Sequence, residues 1–424
     1  MTMKRSLAGA MALTLFVAPA LAQSPPPAAA QARITLDPAA FERYAGYYQM
    51  GPRGAIRLYH EEGRFYMNTV GTPQKLEIFP TSPESFAVGT VPVTINFKPG
   101  ADGSVKEAII NQAGRDVPVP RITEETAKAL AAAATAPPPV TPRTWAAQIT
   151  PPRMLIAPDA GNIYYLASYT PDGRSVLVSR TPDGGKSFAL VRVPASGGRE
   201  EILFQRDGLP ATRAHVGRDG RIVFNAGNAI WVMEADGGNA RALPLKDMLA
   251  PNYANWYPDG RSIAFGDGAR NTLYRADIAT GAVTPLTRQA EVLTGMSRLS
   301  PDGKWIVFAG QKNSGQLYNQ GDNQIWLVDD KGAARPVETN PGQGRAPSWS
   351  PDGLRIAFES GRGSPDGKYA IFVINRDGSG LTQVTNYALN GMHPHWSPDG
   401  KQIVFSTGNQ PGAPGGVAVI EAPG

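Results

Sequence analysis

The chain of 424 residues contains no cysteine and only four histidines. Without cysteine there can be no disulfide bond and no lipid-modified N-terminal cysteine, so packing alone must stabilise the fold. Four histidines leave little material for a general base or a metal site. After the first 22 residues, no apolar run is long enough to span a membrane, and we expect no integral span.

Two signatures of serine hydrolases are also missing. The chain contains neither Ser-x-x-Lys nor Gly-x-Ser-x-Gly, so no nucleophile of either kind can be placed. The Gly-Lys-Ser in "TPDGGKSF" (181–188) does not complete a phosphate-binding loop, because Arg180 stands where its first glycine is required. We therefore predict no catalytic residue and no cofactor.

The net charge is weakly positive and does not point to nucleic acid. It is +5 for the whole chain and +3 without Lys4 and Arg5. The remaining basic residues are scattered along the chain rather than clustered. A nucleic-acid-binding protein would concentrate them on one face, so we expect no nucleic-acid partner.

The first 22 residues have the pattern of a secretory signal. Lys4 and Arg5 precede the apolar run "LAGAMALTLFVAPA", and Ala20-Leu21-Ala22 forms a small-x-small cleavage site. We expect cleavage near Ala22 and a soluble mature chain, a monomer, in a bacterial periplasm. The alternative is an uncleaved anchor, for which the apolar run is short.

Composition divides the rest of the chain into segments. A Pro/Ala spacer (23–35) precedes a small β module (36–122), and a short helix with a Pro-rich linker follows (123–143). The module alternates apolar and polar residues in short runs between Gly, Pro and Asp turns, as antiparallel hairpins do. Its sequences "FERYAGYY" and "TINFKPGADGSV" resemble the small β-barrel domain that trails penicillin-binding-protein-like serine hydrolases. The resemblance implies a barrel or sandwich without the hydrolase body.

The remainder, residues 144–424, is built from six repeats. Each contains a turn of the Pro-Asp-Gly type followed by a β-branched strand, as in "SPDGKWIVFA". Pro fixes the first corner of the turn, Asp bonds back to the backbone, and Gly adopts the left-handed conformation. The turn glycines are 47, 40, 43, 50 and 47 residues apart, the length of a four-stranded propeller blade.

The sixth repeat ends after its third strand. A closed ring needs that strand edge paired, because an open edge invites aggregation. We expect a segment within Thr144–Ala157, containing "RMLIA", to supply the missing outer strand. The fold class predicted is therefore all-β: a six-bladed propeller preceded by a small antiparallel barrel or sandwich.

The turns, with a tryptophan two residues before the proline at Trp256, Trp349 and Trp396, resemble those of the TolB-like six-bladed propellers. This resemblance implies a periplasmic propeller that binds a protein. TolB carries an α/β domain before its propeller, whereas this chain has the small β module. The lipoprotein Pal, the partner in that family, is therefore not carried over to this chain.

Aligning the repeats on the turn Asp places a polar residue four positions before it in every copy. These six residues, which we call the polar ring, are Ser168, His215, Asn255, Arg298, Ser348 and His395. The residues three before the Asp are bulky and those five before it are small, which predicts packing between blades on the opposite strand face. If this first strand is innermost, the polar ring surrounds the central channel.

The two histidines of the polar ring have three interpretations. They hydrogen-bond neighbouring backbone or channel water, as buried polar groups must. Alternatively, His215, Arg298 and His395 form a channel mouth that senses a ligand or partner. The third is a metal site at His393 and His395, which we expect to share a strand face; it is a weak candidate because the ring supplies no carboxylate.

One further motif resembles the Asp-box of sialidases. Asp183, Gly185, Ser187 and Phe188 have its offsets, and we interpret it as a hairpin-stabilising turn. Taken together, the sequence favours a non-enzymatic periplasmic propeller that binds a protein or cell-envelope component at a channel mouth. The alternatives are a periplasmic hydrolase or lyase acting on carbohydrate or peptide, and an accessory subunit of a serine hydrolase.

Overall fold

A computed structural model describes residues 33–50, 54–71, 75–88, 93–112, 115–135, 151–159, 161–182, 188–315, 318–337, 343–408 and 415–423. The predicted signal, the linker 137–142 and Asp183, Gly185 and Ser187 of the Asp-box motif lie outside these residues. The chain forms two compact units, one built on a barrel and one on six sheets. No helix within the described ranges is long and apolar enough to cross a membrane.

The first unit is a closed barrel of eight antiparallel strands in sequential order. Its strands are β1 (Gly46–Gln49), β2 (Ala55–Glu61), β3 (Arg64–Thr69), β4 (Lys75–Ser82), β5 (Ser85–Val88), β6 (Val93–Phe97), β7 (Glu107–Gln112) and β8 (Arg115–Ile122). Pairing of β1 with β8 closes the barrel, with Tyr47 opposite Ile122. Closure removes both sheet edges, which would otherwise pair with other chains.

Apolar side chains fill the barrel. The alternating residues of the strands point inward, and a short helix α1 (Pro38–Phe41) adds Phe41 to the same core. Tyr44 stacks on Phe97 with 4.3 Å between ring centroids, and Phe86 is fully buried beside both. A second helix, α2 (Glu124–Thr135), packs against β1 and β2.

The second unit consists of six four-stranded antiparallel sheets. Sheet 1 contains β10 (Asn162–Tyr169), β11 (Ser175–Pro182), β12 (Ala189–Pro194) and β13 (Glu201–Gln205). Sheet 2 contains β14 (Ala211–Val216), β15 (Ile222–Ala226), β16 (Ala229–Met233) and β17 (Arg241–Ala242). Sheet 3 contains β18 (Pro251–Trp256), β19 (Ser262–Asp267), β20 (Thr272–Asp277) and β21 (Val283–Pro285).

The remaining sheets repeat this order. Sheet 4 contains β22 (Val292–Leu299), β23 (Trp305–Lys312), β24 (Gln324–Asp329) and β25 (Ala334–Pro336). Sheet 5 contains β26 (Arg345–Trp349), β27 (Arg355–Ser360), β28 (Ala370–Asn375) and β29 (Thr382–Gln383). Sheet 6 contains β30 (Met392–Trp396), β31 (Gln402–Thr407), β32 (Gly416–Glu421) and β9 (Arg153–Ile156). Two 3₁₀ turns, Gln320–Asp322 and Tyr387–Leu389, lie between strands.

Sheet 6 closes the ring by joining the two ends of the unit. Its outermost strand β9 pairs antiparallel with β32, Val417 lying opposite Ile156. This strand falls inside the segment 144–157 from which the sequence predicts the closing strand. The first strands of neighbouring sheets contact one another around the whole circle, so they are innermost. The predicted all-β fold with a six-bladed propeller and a small barrel is confirmed.

The turn between the first and second strands of a sheet is stabilised by hydrogen bonds of its own side chains. In the turn after β22, the Ser300 hydroxyl donates to Asp302 at 2.6 Å, and the same carboxylate accepts the Lys304 N–H at 3.1 Å. Gly303 has φ = +74°, a conformation that glycine adopts without strain. The same arrangement recurs at Ser350 and Ser397. These local bonds explain why the Pro-Asp-Gly signal repeats.

Apolar clusters fill the six seams between neighbouring sheets. The cluster between sheets 2 and 3, for example, joins Val223 of β15 to Trp256 and Phe265 of sheet 3. Each sheet therefore buries both of its faces against its neighbours. The propeller has no single core, because its apolar residues are divided among these seams and a small cluster of inner-strand residues that includes Tyr253, Met296 and Ala346.

Candidate functional site

All six sheets contribute to one cavity at the end of the channel where the inner strands enter their turns. The cavity has a volume of about 210 Å³. Its wall includes the aromatic residues Tyr169, Trp256, Trp349 and Trp396 and prolines of five turns. We call it the mouth cavity. Because every sheet contributes residues to its wall, the cavity lies on the axis of the ring.

Part of the polar ring lines the mouth cavity. His215, Arg298, Ser348 and His395 lie on the cavity wall. Ser168 and Asn255 are not part of that wall. Each ring residue lies opposite a residue of the second strand of its own sheet, as His215 lies opposite Val223. Four of the six ring positions therefore reach the cavity.

Both ring histidines tie neighbouring sheets together through Nδ1. The backbone N–H of Trp256 in sheet 3 donates to Nδ1 of His215 in sheet 2 at 3.2 Å. The N–H of Tyr169 in sheet 1 donates to Nδ1 of His395 in sheet 6 at 3.3 Å. A backbone N–H is a fixed donor, so Nδ1 of His215 is an acceptor and its ring proton sits on Nε2. Nδ1 of His395 also lies 3.0 Å from the Trp396 carbonyl, an acceptor, so its two contacts require opposite tautomers.

Other ring positions make similar links between sheets. The Asn255 side-chain amide donates to the Ser297 carbonyl of sheet 4 at 3.3 Å. The indole of Trp349 in sheet 5 donates to the Arg298 carbonyl of sheet 4 at 3.1 Å. The interpretation of the polar ring as a structural hydrogen-bonding element therefore accounts for the contacts that these residues make with neighbouring sheets. It leaves the cavity-facing side of His215, Arg298 and His395 available to a ligand.

Electrostatics make the mouth cavity positive at neutral pH. Burial and the nearby Arg298 guanidinium lower the pKa of both His215 and His395 to about 3, so both imidazoles are neutral. Burial lowers the pKa of Arg298 to about 10, which leaves the guanidinium charged. The wall contains Arg298 and Arg218 but no Asp or Glu. Among the ion pairs of the described residues, none involves Arg298.

Arg218 lies exposed at the rim of the same cavity. It belongs to the turn of sheet 2, and its guanidinium donates to the Pro301 carbonyl in the turn of sheet 4 at 3.1 Å. The Arg218 side chain therefore connects the turns of sheets 2 and 4, which lie on either side of the turn of sheet 3. It adds a second positive charge at the entrance of the mouth cavity.

A β-bulge interrupts every inner strand one to three residues before the polar ring. The pairing of each inner strand with its second strand shifts by one residue there. Five residues at these bulges have left-handed φ angles, namely Leu166 (57°), Arg213 (57°), Tyr253 (53°), Ala346 (44°) and His393 (52°). Such angles are uncommon for residues other than glycine and accompany functional or strained sites. Because each bulge adds one residue to the inner strand, these side chains do not follow the alternation between the two strand faces.

The bulges bring together a second group of charged residues that the sequence did not predict. Glu359 is fully buried; its Oε2 accepts the His393 N–H at 2.8 Å and its Oε1 lies 3.3 Å from Nε of Arg345. Arg345 also donates to the Tyr369 hydroxyl at 2.8 Å. The Arg213 guanidinium lies over the Tyr253 ring, 4.7 Å from its centroid. No repeat column marks these residues, because their positions hold different residue types in each copy.

The expectation that His393 and His395 share a strand face is wrong. The bulge puts three residues of β30 opposite two of β31, so Met392 rather than His393 aligns with His395. Nδ1 of His393 is buried without a hydrogen-bond partner, and burial lowers the pKa of His393 to about 4. Within the described ranges, no three His, Asp or Glu side chains are grouped so that they could hold a metal ion.

Comparison with known proteins concerns the propeller. Residues 316–415 match the family model described as the TolB beta propeller domain. An uncharacterized protein of Agrobacterium fabrum is 31% identical over 137 residues, which cover 31% of this chain and 43% of the relative. A TolB homolog of Chlorobium chlorochromatii is 29% identical over 203 residues, covering 36% and 43%. The chain thus spans less than half the length of these two relatives.

Solved structures are similar at low identity. A putative TolB from Agrobacterium tumefaciens is 20% identical, covers 62% of this chain and 91% of its own, and has a TM-score of 0.46. TolB from Acinetobacter baumannii is 16% identical, covers 88% and 78%, and has a TM-score of 0.44. The closed ring of six sheets and the match of residues 316–415 show that this chain carries a TolB-like six-bladed β-propeller, which follows an eight-stranded β-barrel in the sequence.

Proposed function

We propose that the chain is a periplasmic, non-enzymatic propeller that binds a protein or another cell-envelope component at the mouth cavity. The observation that carries this proposal is the composition of the cavity wall. Charged Arg298 and the neutral imidazoles of His215 and His395 are surrounded by tryptophan and proline side chains. Tryptophan, tyrosine and arginine are the residues that most often anchor protein partners.

The size of the mouth cavity favours an inserted side chain over a free small molecule. Pockets for drug-sized ligands have volumes of about 300–1,000 Å³. The mouth cavity, at about 210 Å³, is smaller. It suits one or two side chains of a partner whose remaining surface rests on the six turns around the cavity.

The protonation state of the histidines speaks against catalysis at this site. A general base works best when its pKa lies near the working pH. With a pKa of about 3, His215 and His395 accept protons poorly at neutral pH. The wall also lacks a carboxylate that could act as acid or nucleophile. The same groups serve well as neutral hydrogen-bond donors.

The periplasmic location rests on the pattern of residues 1–22 and on the TolB-like propeller. Crosslinking and pulldown of the mature chain from periplasmic extract tests the proposal. We expect a partner that is lost when His215, Arg298 and His395 are all changed to Ala. The matched control replaces the exposed Arg199 and Arg241 with Ala and should retain the partner.

Thermal unfolding of both variants must accompany the pulldown, because the histidines also tie sheets together. A folded triple variant that captures the same partner would overturn the site assignment. A captured serine hydrolase whose activity depends on the chain would support the accessory-subunit alternative. Turnover of a peptide or carbohydrate by the purified chain would contradict a purely binding role.

A further inference from the structure

Three guanidinium groups and one carboxylate lie close enough to His393 to affect its pKa, those of Arg213, Arg298, Arg345 and Glu359. Arg345 has Glu359 as its partner, with 3.3 Å between Nε and Oε1. Arg298 and Arg213 form no ion pair with any described carboxylate, and Nε of Arg213 is buried without a hydrogen-bond partner. The channel therefore holds two positive charges that the described residues do not compensate.

These two charges act on each other. The positive charge of Arg213 contributes to lowering the pKa of Arg298, after the larger effect of burial. Burying like charges near one another is unfavourable unless an anion lies between or beside them. Arg298 faces the mouth cavity, and Arg213 precedes the polar ring in the neighbouring part of the channel. An anionic group in the mouth cavity would face Arg298 directly, with Arg213 close enough to Arg298 to influence its pKa.

We infer that the group received in the mouth cavity is a carboxylate, carried by an acidic segment of the partner protein and held by Arg298 with Arg213 behind it. This inference rests on the proposed function and specifies its ligand. Hydrogen-bond donors around the cavity include the guanidinium N–H groups of Arg298 and Arg218 and the Nε2–H group of His215. A carboxylate accepts hydrogen bonds without donating any, which matches such a lining.

A side-chain carboxylate fits the cavity better than a sugar acid does. The volume of about 210 Å³ accommodates a Glu or Asp side chain, whereas a sugar ring with its substituents needs a larger, donor-and-acceptor pocket. Trp256, Trp349 and the turn prolines around the entrance offer apolar contacts to a peptide backbone and its neighbouring side chains. We therefore assign the carboxylate to a peptide segment rather than to a carbohydrate.

A fluorescent peptide with two glutamates, and its matched form with two glutamines, test the inference on the full mature chain. We expect saturable binding of the glutamate peptide, at least tenfold weaker binding of the glutamine peptide, and weakening by added salt. Arg298→Gln should weaken the glutamate peptide at least tenfold. The matched control Arg241→Gln, which removes an exposed charge on an outer strand, should bind as the unmodified chain does.

Two substitutions test whether the charge of Arg213 or its shape matters for peptide binding. They are Arg213→Lys, which keeps the charge, and Arg213→Gln, which removes it. The lysine variant should bind nearly as well as the parent, and the glutamine variant should bind several-fold more weakly while remaining folded. Equal binding of both peptides, unchanged binding by Arg298→Gln, or no saturable binding of the glutamate peptide would each overturn the inference. Digalacturonate that displaces the peptide at equal carboxylate concentration would overturn its assignment to a peptide.

The two proposals fail in different ways. If the pulldown partner depends on the mouth cavity but the glutamate peptide does not bind, the proposed function stands and the carboxylate assignment falls. If the glutamate peptide binds through Arg298 but no envelope partner is captured, the carboxylate site stands and the role of the chain as an envelope-binding propeller falls.

Discussion

The barrel and the propeller both close β-sheets into rings, but they fill their centres with different kinds of residue. The barrel interior is packed with aromatic and aliphatic side chains such as Phe41, Phe86 and Phe97. The mouth cavity of the propeller is lined by guanidinium, imidazole and hydroxyl groups together with tryptophan and proline side chains. Most of the apolar residues of the propeller lie in the seams. A filled apolar centre stabilises the barrel, whereas a cavity with polar groups on its wall, enclosed by stable seams, can receive a ligand. The difference supports the binding role that we propose for the propeller.

Acid should destabilise the propeller more than any single substitution tested below. His215, His393 and His395 have pKa values lowered to about 3 or 4 in the folded chain, whereas an unfolded histidine has a pKa of about 6.5. Below pH 6.5 the unfolded chain binds more protons, so stability is lost as pH falls. Between pH 6.5 and 5 each histidine contributes at most about 2 kcal/mol.

Tryptophan fluorescence measures this loss selectively, because all seven tryptophans lie outside the barrel residues 36–122. Urea unfolding should show a propeller midpoint that falls steeply from pH 7 to pH 5. His215→Gln with His395→Gln should flatten that dependence by roughly two thirds, since one of the three histidines remains. An equal slope in the variant and the parent would show that these histidines do not titrate as their burial requires.

The aromatic core of the barrel gives the next largest effect. Phe86 is fully buried among the rings of Phe41, Tyr44 and Phe97, so Phe86→Ala should cost about 3–5 kcal/mol. Hydrogen exchange should report the loss in β1–β8 while the propeller strands keep their protection. The matched change in a seam, Phe265→Ala, should have the reverse pattern. Loss of protection in both units from either change would contradict separate cores.

Closure of the ring depends on a smaller apolar contact. Leu155 of β9 packs into the seam between sheets 6 and 1, and it is 9% exposed. Leu155→Ala should destabilise the propeller by about 2–3 kcal/mol and expose β32 as an open edge. Tryptophan fluorescence and light scattering check both effects. Ile202→Ala, a change of similar size at a 51% exposed position of an outer strand, should alter neither.

The repeat made the propeller predictable because each turn is determined locally. Pro, Asp and Gly at fixed offsets specify the turn through their own bonds, so six copies reveal six sheets. The polar ring was predictable for the same reason, since its column is polar in every copy. Its members were predicted together, yet only four line the cavity. Ser348 lies on the wall and Ser168 does not, so residue type alone did not decide which members reach it.

The inner charges could not be predicted in the same way. Arg213, Arg345 and Glu359 occupy columns of mixed residue type, so no repeat signal selects them. Five of the six bulges also lack a glycine that would mark them, since residues such as Arg213 and His393 take the left-handed angles. Alternation extrapolated through an unmarked bulge assigns the following residues to the wrong strand face. That is why the pairing of His393 with His395 was wrong.

The smallest effect tests the local character of the turns. In the turn before β27, Asp352 accepts the Ser350 hydroxyl at 2.6 Å and the Leu354 N–H at 2.9 Å. Asp352→Ala removes both bonds and should cost about 1 kcal/mol, measured as a small fall in the propeller's urea midpoint. Asp352→Asn keeps an acceptor and should recover part of it. Pro351 of this turn lies on the cavity wall but Asp352 does not, so glutamate-peptide binding should change by less than threefold. A loss as large as that of Phe265→Ala would mean that the turns, and not the seams, hold the ring together.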